Sequence, residues 1–178
     1  MRVSVVLPAF NEEKLLPAAL ASVKAAASAF TARGWEWECL VCDNNSTDGT
    51  SAVARAAGAT VVFEPVNQIG RARDAGARVA TGEWLVFIDA DSTPSAELFA
   101  SIATRIAEGR ALGGGSTVEL EPGTPRYARF VCGLWNLWSR LAGWAAGSCV
   151  WVEAAAFRAV GGFGTEYYRA KRSSLAVA

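Results

Sequence analysis

The sequence predicts an α/β fold built on a Rossmann-like, mostly parallel sheet with helices on both faces. Short β-branched runs alternate with amphipathic helical stretches through the first 110 residues, and this alternation favours parallel strands joined by right-handed crossovers. Polar side chains follow the end of each predicted strand, whereas the loops at 32–34 and 80–82 are bland. Ligands bind beyond the carboxyl ends of such strands, so we expect the binding site at that edge.

The first four strands are apolar runs that each end at a polar or turn-forming residue. They are Val3–Leu7, Glu38–Cys42, Thr60–Phe63 and Trp84–Ile88. The helices between them are predicted from an apolar stripe that begins at Leu15, from a cap at Ser46 or Thr47 followed by a helix to Ala57, and from Gly70–Ala80. A further helix is expected to have its cap at residue 92 or 93, Pro94 in its first turn, and its end at Gly109.

The second half of the sequence is less regular. Its predicted elements are a strand at Thr117–Leu120 after a triple glycine, an amphipathic helix at Pro125–Ala142, a strand at Cys149–Val152 and a short helix at Glu153–Val160. Gly161 and Gly162 close the last helix.

The composition restricts the chemistry. The 17 basic residues balance the 17 acidic ones, so we expect neither disorder nor a nucleic-acid partner. Histidine is absent, so acid–base chemistry falls to carboxylates. Cys39 and Cys42 lie three residues apart in one strand and point to opposite faces, which argues against a zinc site. We expect the four cysteines to be buried thiols in a reducing compartment.

No secretory signal or membrane span is predicted. The apolar start Val3–Leu7 is too short for a signal peptide, and polar residues and glycines interrupt Phe130–Val152. We therefore expect a cytoplasmic chain. The spacing of Trp135 and Trp138 leaves two hypotheses for their helix: it covers the sheet, which we favour, or it lies peripherally at the inner face of a membrane.

Asp89 and Asp91 follow a buried strand and lie one residue apart. Such a pair is a hard oxygen site suited to Mg²⁺ or Mn²⁺, with a diphosphate completing the coordination. Two like charges this close repel by about 1 kcal/mol even in bulk water, so the pair favours a cation. The alternative is that both are helix-capping or turn acids, but their place after an uninterrupted apolar run favours the metal.

Other polar residues at the same edge have two interpretations each. Asp43 would face the crevice where a base and ribose lie, or it would form an Asx turn with Ser46. Asn11 and Asn67 would hold either backbone turns or ligand hydroxyls. Arg73 lies on a helix that begins at this edge, where a guanidinium can bind phosphate.

Five motifs occur together in one order over most of the first hundred residues: Val5–Glu13, Asp43–Thr50, Asn67–Gly76, Gly82–Glu83 and Ile88–Ser92. In this order they resemble the family 2 glycosyltransferases of the GT-A fold. Residues 146–148 and 157–163 resemble the acceptor-side segment of that family. The resemblance implies a single GT-A-like domain over 1–163, with a sugar-nucleotide-binding half at 1–110, an incomplete acceptor-side half at 111–163, and an irregular basic tail at 164–178.

The resemblance also implies roles for individual residues. Those expected to contact the donor are Pro8, Ala9, Asn11 and Glu12 at the nucleoside, Asp43 at the base, Asn67 with Arg73 at ribose or phosphate, and Asp89 at the sugar-nucleotide. Asp91, with Asp89, would bind Mn²⁺ or Mg²⁺. Family members transfer a sugar from a nucleoside diphosphate donor, here a UDP- or GDP-sugar, with inversion. The acceptor is open, and a lipid-linked one would suit a helix at the membrane.

One departure from the family pattern concerns the catalytic base. The family supplies an acidic pair after its Gly-Gly-Phe segment, whereas this chain has only Glu166 there, at a different spacing. Glu166 is therefore the candidate base, and a nucleotide-sugar-binding protein without turnover is the alternative function. A second departure is Asp74, where the family more often has asparagine.

Asp89–Thr93 also satisfies the Asp-x-Asp-x-Thr pattern of haloacid dehalogenase-type phosphatases, in which Asp89 would be the nucleophile. That motif normally ends the first strand of its domain and needs a downstream lysine and acidic pair, whereas the lysines here are only Lys14, Lys24 and Lys171, so this interpretation is disfavoured. A dinucleotide-binding Rossmann domain fits less well, because the first strand–helix turn lacks the glycine pattern.

Overall fold

The computed structural model describes residues 1–117, 120, 123–142 and 149–164, without the side chains of 139–142. Its centre is a six-stranded sheet in the order β3-β2-β1-β4-β6-β5. The first four strands along the chain pair in parallel, and β6 and β5 extend the sheet in antiparallel pairs. The predicted mostly parallel α/β sheet is confirmed.

The strands are β1 (Arg2–Ala9), β2 (Glu36–Asp43), β3 (Thr60–Phe63), β4 (Trp84–Ile88), β5 (Gly113–Gly115) and β6 (Cys149–Glu153). The helices are α1 (Leu16–Ala26), α2 (Ser28–Thr31), α3 (Thr50–Ala56), α4 (Ile69–Val79), α5 (Ala96–Glu108), α6 (Arg126–Ala142) and α7 (Ala154–Ala159).

Helices cover both faces of the sheet because each central strand buries both sets of alternating side chains. Val3, Val5 and Leu7 of β1 join one core with α1, α2, α3 and α5. Val6, from the opposite face of β1, joins a second core with α4 and α7. Cys39 lies against the first core and Cys42 lies in the second, so the prediction that they point to opposite faces is confirmed.

Two helix starts differ from the sequence-based expectation. The cap of α3 is Gly49 with no side-chain cap bond, and Ser46 and Thr47 are used elsewhere in the loop. The cap of α5 is Ser95, whose hydroxyl accepts from the Leu98 N–H at 3.2 Å, so the predicted cap at residue 92 or 93 was wrong. The predicted end at Gly109 is confirmed by its left-handed conformation.

The triple glycine is itself a strand, not the approach to one. β5 pairs with β6, and the Trp151 ring of β6 lies across it: a Cβ at Gly114 would come within 2.9 Å of that ring. Only glycine permits this approach, which is why the strand carries no apolar pattern. Thr117 lies beyond the strand, and part of the predicted strand at Thr117–Leu120 falls outside the described residues.

The amphipathic helix α6 is present as predicted, but its apolar side chains do not cover the sheet. Trp135 and Trp138 are both exposed, so the favoured hypothesis of core packing was wrong for these two residues. In the part of the chain that the structure describes, no helix is long and apolar enough to cross a membrane.

Candidate active site

A cavity of about 320 Å³ opens at the carboxyl ends of β1 and β4. Its walls come from three parts of the chain: the end of β1 with the loop that follows it, the turn after β4, and the loop after β2 together with the start of α4. The lining residues are Pro8, Ala9, Phe10, Glu12, Asn44, Ile69, Asp89, Ala90 and Asp91. This is the edge at which the sequence predicted ligand binding, and β1 and β4 are adjacent strands there.

β1 continues through Pro8 and Ala9, past the predicted end at Leu7. Pro8 lies beside Cys42 and Ala9 beside Asp43 in the parallel ladder with β2. A proline lacks the N–H that strand pairing uses, so the hydrogen bonds of the residues next to Pro8 hold this end of the strand. The Asn44 N–H donates to the Ala9 carbonyl at 2.8 Å. The loops that follow β1 and β2 therefore leave the sheet side by side.

Asn11 joins these two loops. It adopts a left-handed conformation with φ 56°, which asparagine tolerates better than most residues. Its Oδ1 accepts from the Thr47 N–H at 2.8 Å, and its own N–H donates to Ser46 Oγ at 3.0 Å. Of its two predicted roles, the structure shows the backbone turn, and Asn11 is not among the residues that line the cavity.

Asp43 also forms the turn that was its alternative interpretation. Its Oδ1 accepts from the Ser46 N–H at 2.8 Å, and its Oδ2 accepts from the Ser51 hydroxyl. The side chain is buried. The Asp43 carboxylate thus anchors the loop that carries Ser46, and it does so without any ligand.

Asp89 is held by Arg73. Nη2 of Arg73 donates to Oδ1 of Asp89 at 2.6 Å, and the guanidinium carbon lies 5.4 Å from the centre of the Phe163 ring. Arg73 does not line the cavity, so its visible role is to orient Asp89. The Gly-Gly-Phe segment supplies this support, because Phe163 packs edge-on against Phe87 of β4 at 5.0 Å between ring centres.

Asp91 is exposed and lines the same cavity as Glu12. Partial burial, with the nearby carboxylates of Asp91 and Asp48, raises the pKa of Glu12 above its ordinary value. Like charges that face one cavity create a negative potential that a cation would relieve. The donor set is carboxylate oxygen, which suits Mg²⁺ or Mn²⁺.

The described residues do not form a complete metal cage. Among them, no group of three or more carboxylate, thiolate or imidazole side chains is placed to bind one ion. An ion at Asp91 and Asp89 would need further oxygen ligands from a substrate or water, which is how Mg²⁺ is commonly bound in sites that also bind phosphate.

Asn44 and Glu64, which were not among the predicted site residues, shape the third wall. The buried Asn44 amide donates to the carbonyls of Glu64 and Val66 at 3.2 and 2.6 Å, and its Oδ1 accepts from the Gln68 N–H at 2.9 Å. Glu64 accepts from the Val66 N–H and from Arg71 Nε, each at 3.1 Å.

These bonds fix the loop at 64–68, on which Asn67 is exposed. Asn67 does not line the cavity. Asn44 directly follows Asp43 at the end of β2, and that position is the sequence signal that could have identified it. Phe10, Ile69 and Ala90 also line the cavity without having been selected. Glu166 and the segment 146–148 lie outside the described residues.

The comparisons with known proteins agree on one family. The model of "Glycosyl transferase family 2" matches residues 4–144. An uncharacterised glycosyltransferase of Mycobacterium tuberculosis H37Rv is 45% identical over 94 residues, which are 53% of this chain and 38% of that protein. The chain therefore spans well under two thirds of this curated relative.

Two solved structures extend the similarity. Glucosyl-3-phosphoglycerate synthase from Mycobacterium tuberculosis, crystallised with Mn²⁺, UDP and glucosyl-3-phosphoglycerate, is 25% identical at TM-score 0.62, over 86% of this chain and 57% of that one. The mannosyltransferase PcManGT from Pyrobaculum calidifontis, in complex with GDP-Man and Mn²⁺, has TM-score 0.71 at 22% identity, over 92% of this chain and 48% of that one. The second likeness concerns the fold alone.

Proposed function

Because this chain belongs to glycosyl transferase family 2, we propose that it binds a UDP- or GDP-sugar in the cavity between β1 and β4 and transfers the sugar to an acceptor hydroxyl. The resemblance found in the sequence and the GT-A fold are both confirmed. The observation that carries the proposal is the convergence of Pro8, Glu12 and Asp91 on one cavity at the carboxyl edge of the sheet.

The phosphatase interpretation of Asp89–Thr93 was wrong. The family match covers the strand and turn that carry this motif. In addition, Oδ1 of Asp89 is engaged by Arg73, which disfavours the carboxylate as a nucleophile because a guanidinium draws off its negative charge.

We assign the donor's parts to the cavity walls as follows. The nucleoside lies against Pro8, Ala9 and Glu12, and the diphosphate lies toward the turn after β4. Asp43 and Asn11 are proposed to reach the base and ribose from the same two loops, in addition to the turns that they form. Asn67 is proposed to approach the ribose or phosphate from the loop at 64–68.

The residues present fit a divalent cation. Asp91 presents an exposed carboxylate, and Asp89 has a second oxygen beside the one that Arg73 contacts. We propose that these two residues hold Mn²⁺ or Mg²⁺, as suggested by the Mn²⁺ bound with UDP in the related synthase. A bound cation neutralises charge on the diphosphate leaving group.

The transfer that we propose inverts the anomeric carbon. The acceptor oxygen attacks that carbon, the bond to the diphosphate oxygen breaks, and the acceptor's proton passes to a carboxylate base. Glu166 is the proposed base on sequence grounds. The acceptor is a hydroxyl compound whose identity the cavity does not specify.

Calorimetric titration of UDP and GDP, with and without Mn²⁺, tests donor binding. We expect Mn²⁺ to tighten binding of one nucleotide, and Asp91→Asn to weaken the metal-dependent binding by at least about tenfold. Glu108→Gln, which changes an exposed acid at the far end of α5, is the matched control and should bind normally.

A turnover assay with UDP- and GDP-sugars separates transferase from binding protein. Mn²⁺-dependent release of the nucleoside diphosphate that Asp91→Asn abolishes would support transfer. Binding without release under any acceptor would leave only a nucleotide-sugar-binding protein. Absence of nucleotide binding by the unaltered chain would overturn both functions.

A further inference from the structure

Helix α6 carries a wide apolar surface that nothing in the described structure covers. The seven large apolar residues of α6 whose side chains the structure describes are between 45% and 74% exposed: Tyr127, Phe130, Val131, Leu134, Trp135, Leu137 and Trp138. A helix that packs on its own protein buries such a stripe. Contiguous exposed apolar surfaces on this scale mark sites of interaction.

The polar side of the same helix is basic. At roughly 100° per residue, Arg126 and Arg129 lie roughly 60° apart on the helix circumference, and the exposed apolar residues fill a neighbouring sector of roughly 160° that begins beside Arg126. The sequence from Gly123 to Ala142 contains no acidic residue. Arg126 and Arg129 are exposed and form no ion pair with any residue that the structure describes.

The combination identifies the chemistry of the partner. Helices that lie in a membrane interface have tryptophan and leucine on one face, arginine on the other, and a low overall hydrophobicity. Tryptophan and tyrosine rings favour the headgroup level. A groove for another protein segment would need no excess of one charge at its rim, whereas an anionic lipid surface attracts clustered arginine.

We propose that α6 is an interfacial helix that docks this protein on an anionic lipid bilayer. Leu134 and Trp138 enter the acyl boundary, and the arginine side faces the lipid phosphates. The inference does not depend on the proposed donor site, because vesicle binding is measured without nucleotide. The exposure of the α6 side chains thus supports the membrane hypothesis, which the spacing of Trp135 and Trp138 alone had disfavoured.

Vesicle flotation of the full chain tests the proposal. We expect binding to vesicles of phosphatidylcholine mixed with phosphatidylglycerol, and much weaker binding to phosphatidylcholine alone. Arg126→Gln and Arg129→Gln should each weaken binding about fivefold. Leu134→Ser combined with Trp138→Ser should weaken it by at least about tenfold.

A matched control removes apolar surface elsewhere. Leu112→Ser combined with Val160→Ser changes two exposed apolar residues outside α6 and should leave vesicle binding unchanged. The urea midpoint and the far-UV circular dichroism spectrum of each variant check that it is folded.

Three results would overturn the proposal. The first is no binding to either vesicle. The second is equal binding to neutral and anionic vesicles. The third is a dimer in sedimentation analysis that the Leu134→Ser, Trp138→Ser variant dissociates, because a second copy of the chain would then cover the helix.

Discussion

Arg73 and Asp89 form the contact that fixes the candidate active site, with 2.6 Å between Nη2 and Oδ1. Neither residue is fully buried, and the arginine is the less exposed of the two. Phe163 lies over the guanidinium. The Gly-Gly-Phe segment after α7 thus acts on the turn after β4 through one arginine side chain.

Arg73→Gln should therefore weaken metal-dependent nucleotide binding about tenfold, because Asp89 would lose the donor that orients it. Loss of stability should stay at about 1 kcal/mol, since the pair is partly exposed to solvent. Calorimetry and urea denaturation measure the two effects. Arg55→Gln, which changes an exposed arginine in the last turn of α3, is the control. Unchanged binding by Arg73→Gln would show that Asp89 is oriented by other contacts.

Gly76 of α4 packs directly against side chains of the sheet. A Cβ built there would collide with Cys42 Sγ and Val6 Cγ1, both in the second core. We expect Gly76→Ala to lower the free energy of unfolding by about 1–3 kcal/mol through overpacking. Gly133→Ala in α6, where a Cβ meets nothing within 4 Å, should instead be neutral or stabilising by up to about 1 kcal/mol. Equal effects at the two sites in urea denaturation would refute this packing argument.

Glu38 organises the edge of the sheet opposite the cavity. Its Oε1 accepts from Ser4 Oγ at 2.6 Å and from the Thr81 N–H and hydroxyl at 2.7 and 2.8 Å, and Arg2 pairs with Oε2 at 3.2 Å. Burial alone would raise the pKa of Glu38, but these bonds and Arg2 together hold it below its ordinary value.

A lowered pKa in the folded state stabilises the fold above the unfolded pKa and loses that effect as pH falls through the folded one. Glu38→Gln should thus lower the free energy of unfolding by about 1–2 kcal/mol at neutral pH, with the difference shrinking below the ordinary pKa of 4.5. Glu36→Gln, an exposed acid in the same strand, is the control. A difference that stays constant from pH 7 to pH 3 would contradict the charge-based explanation.

The parallel core could be predicted from the sequence because its strands are uninterrupted apolar runs. Trp84–Ile88 and Thr60–Phe63 have the predicted bounds, whereas β1 reaches Ala9 because its ladder with β2 extends that far. Local capping rules failed at residues 46–47, since a distant residue, Asn11, engages both of them. Pairing of that kind is set by tertiary structure and leaves no local pattern.

The candidate site could be predicted in part for the same reason. Asp89 and Asp91 follow the strongest apolar run and line the cavity as expected. The role of Asn44 depends on a loop 20 to 24 residues further along the chain, which no local spacing indicates. β5 was missed because its glycines are selected by the Trp151 ring and not by periodicity.

Asp74 offers a test of how the Gly-Gly-Phe segment is held. Its Oδ1 accepts from the Phe163 N–H at 2.9 Å, and Gly162 lies so close that an added Cβ would come within 2.6 Å of the same oxygen. Burial raises the pKa of Asp74 above its ordinary value of 3.8. The folded state therefore binds a proton more readily than the unfolded chain, so this carboxyl group reduces stability as pH rises through the interval between the two pKa values.

An asparagine at this position keeps an oxygen that accepts from Phe163 but carries no charge. Asp74→Asn should raise the urea midpoint at pH 7, and the gain should vanish near pH 3, where Asp74 itself is protonated. Asp74→Ala, which removes the acceptor, should lower the midpoint at both pH values, because the Phe163 N–H loses its partner. If Asp74→Asn is destabilising at pH 7, then the charge itself holds the segment. The attraction of Arg71 and Arg78, which acts on the pKa of Asp74 against the larger effect of burial, would then outweigh the cost of burying the charge.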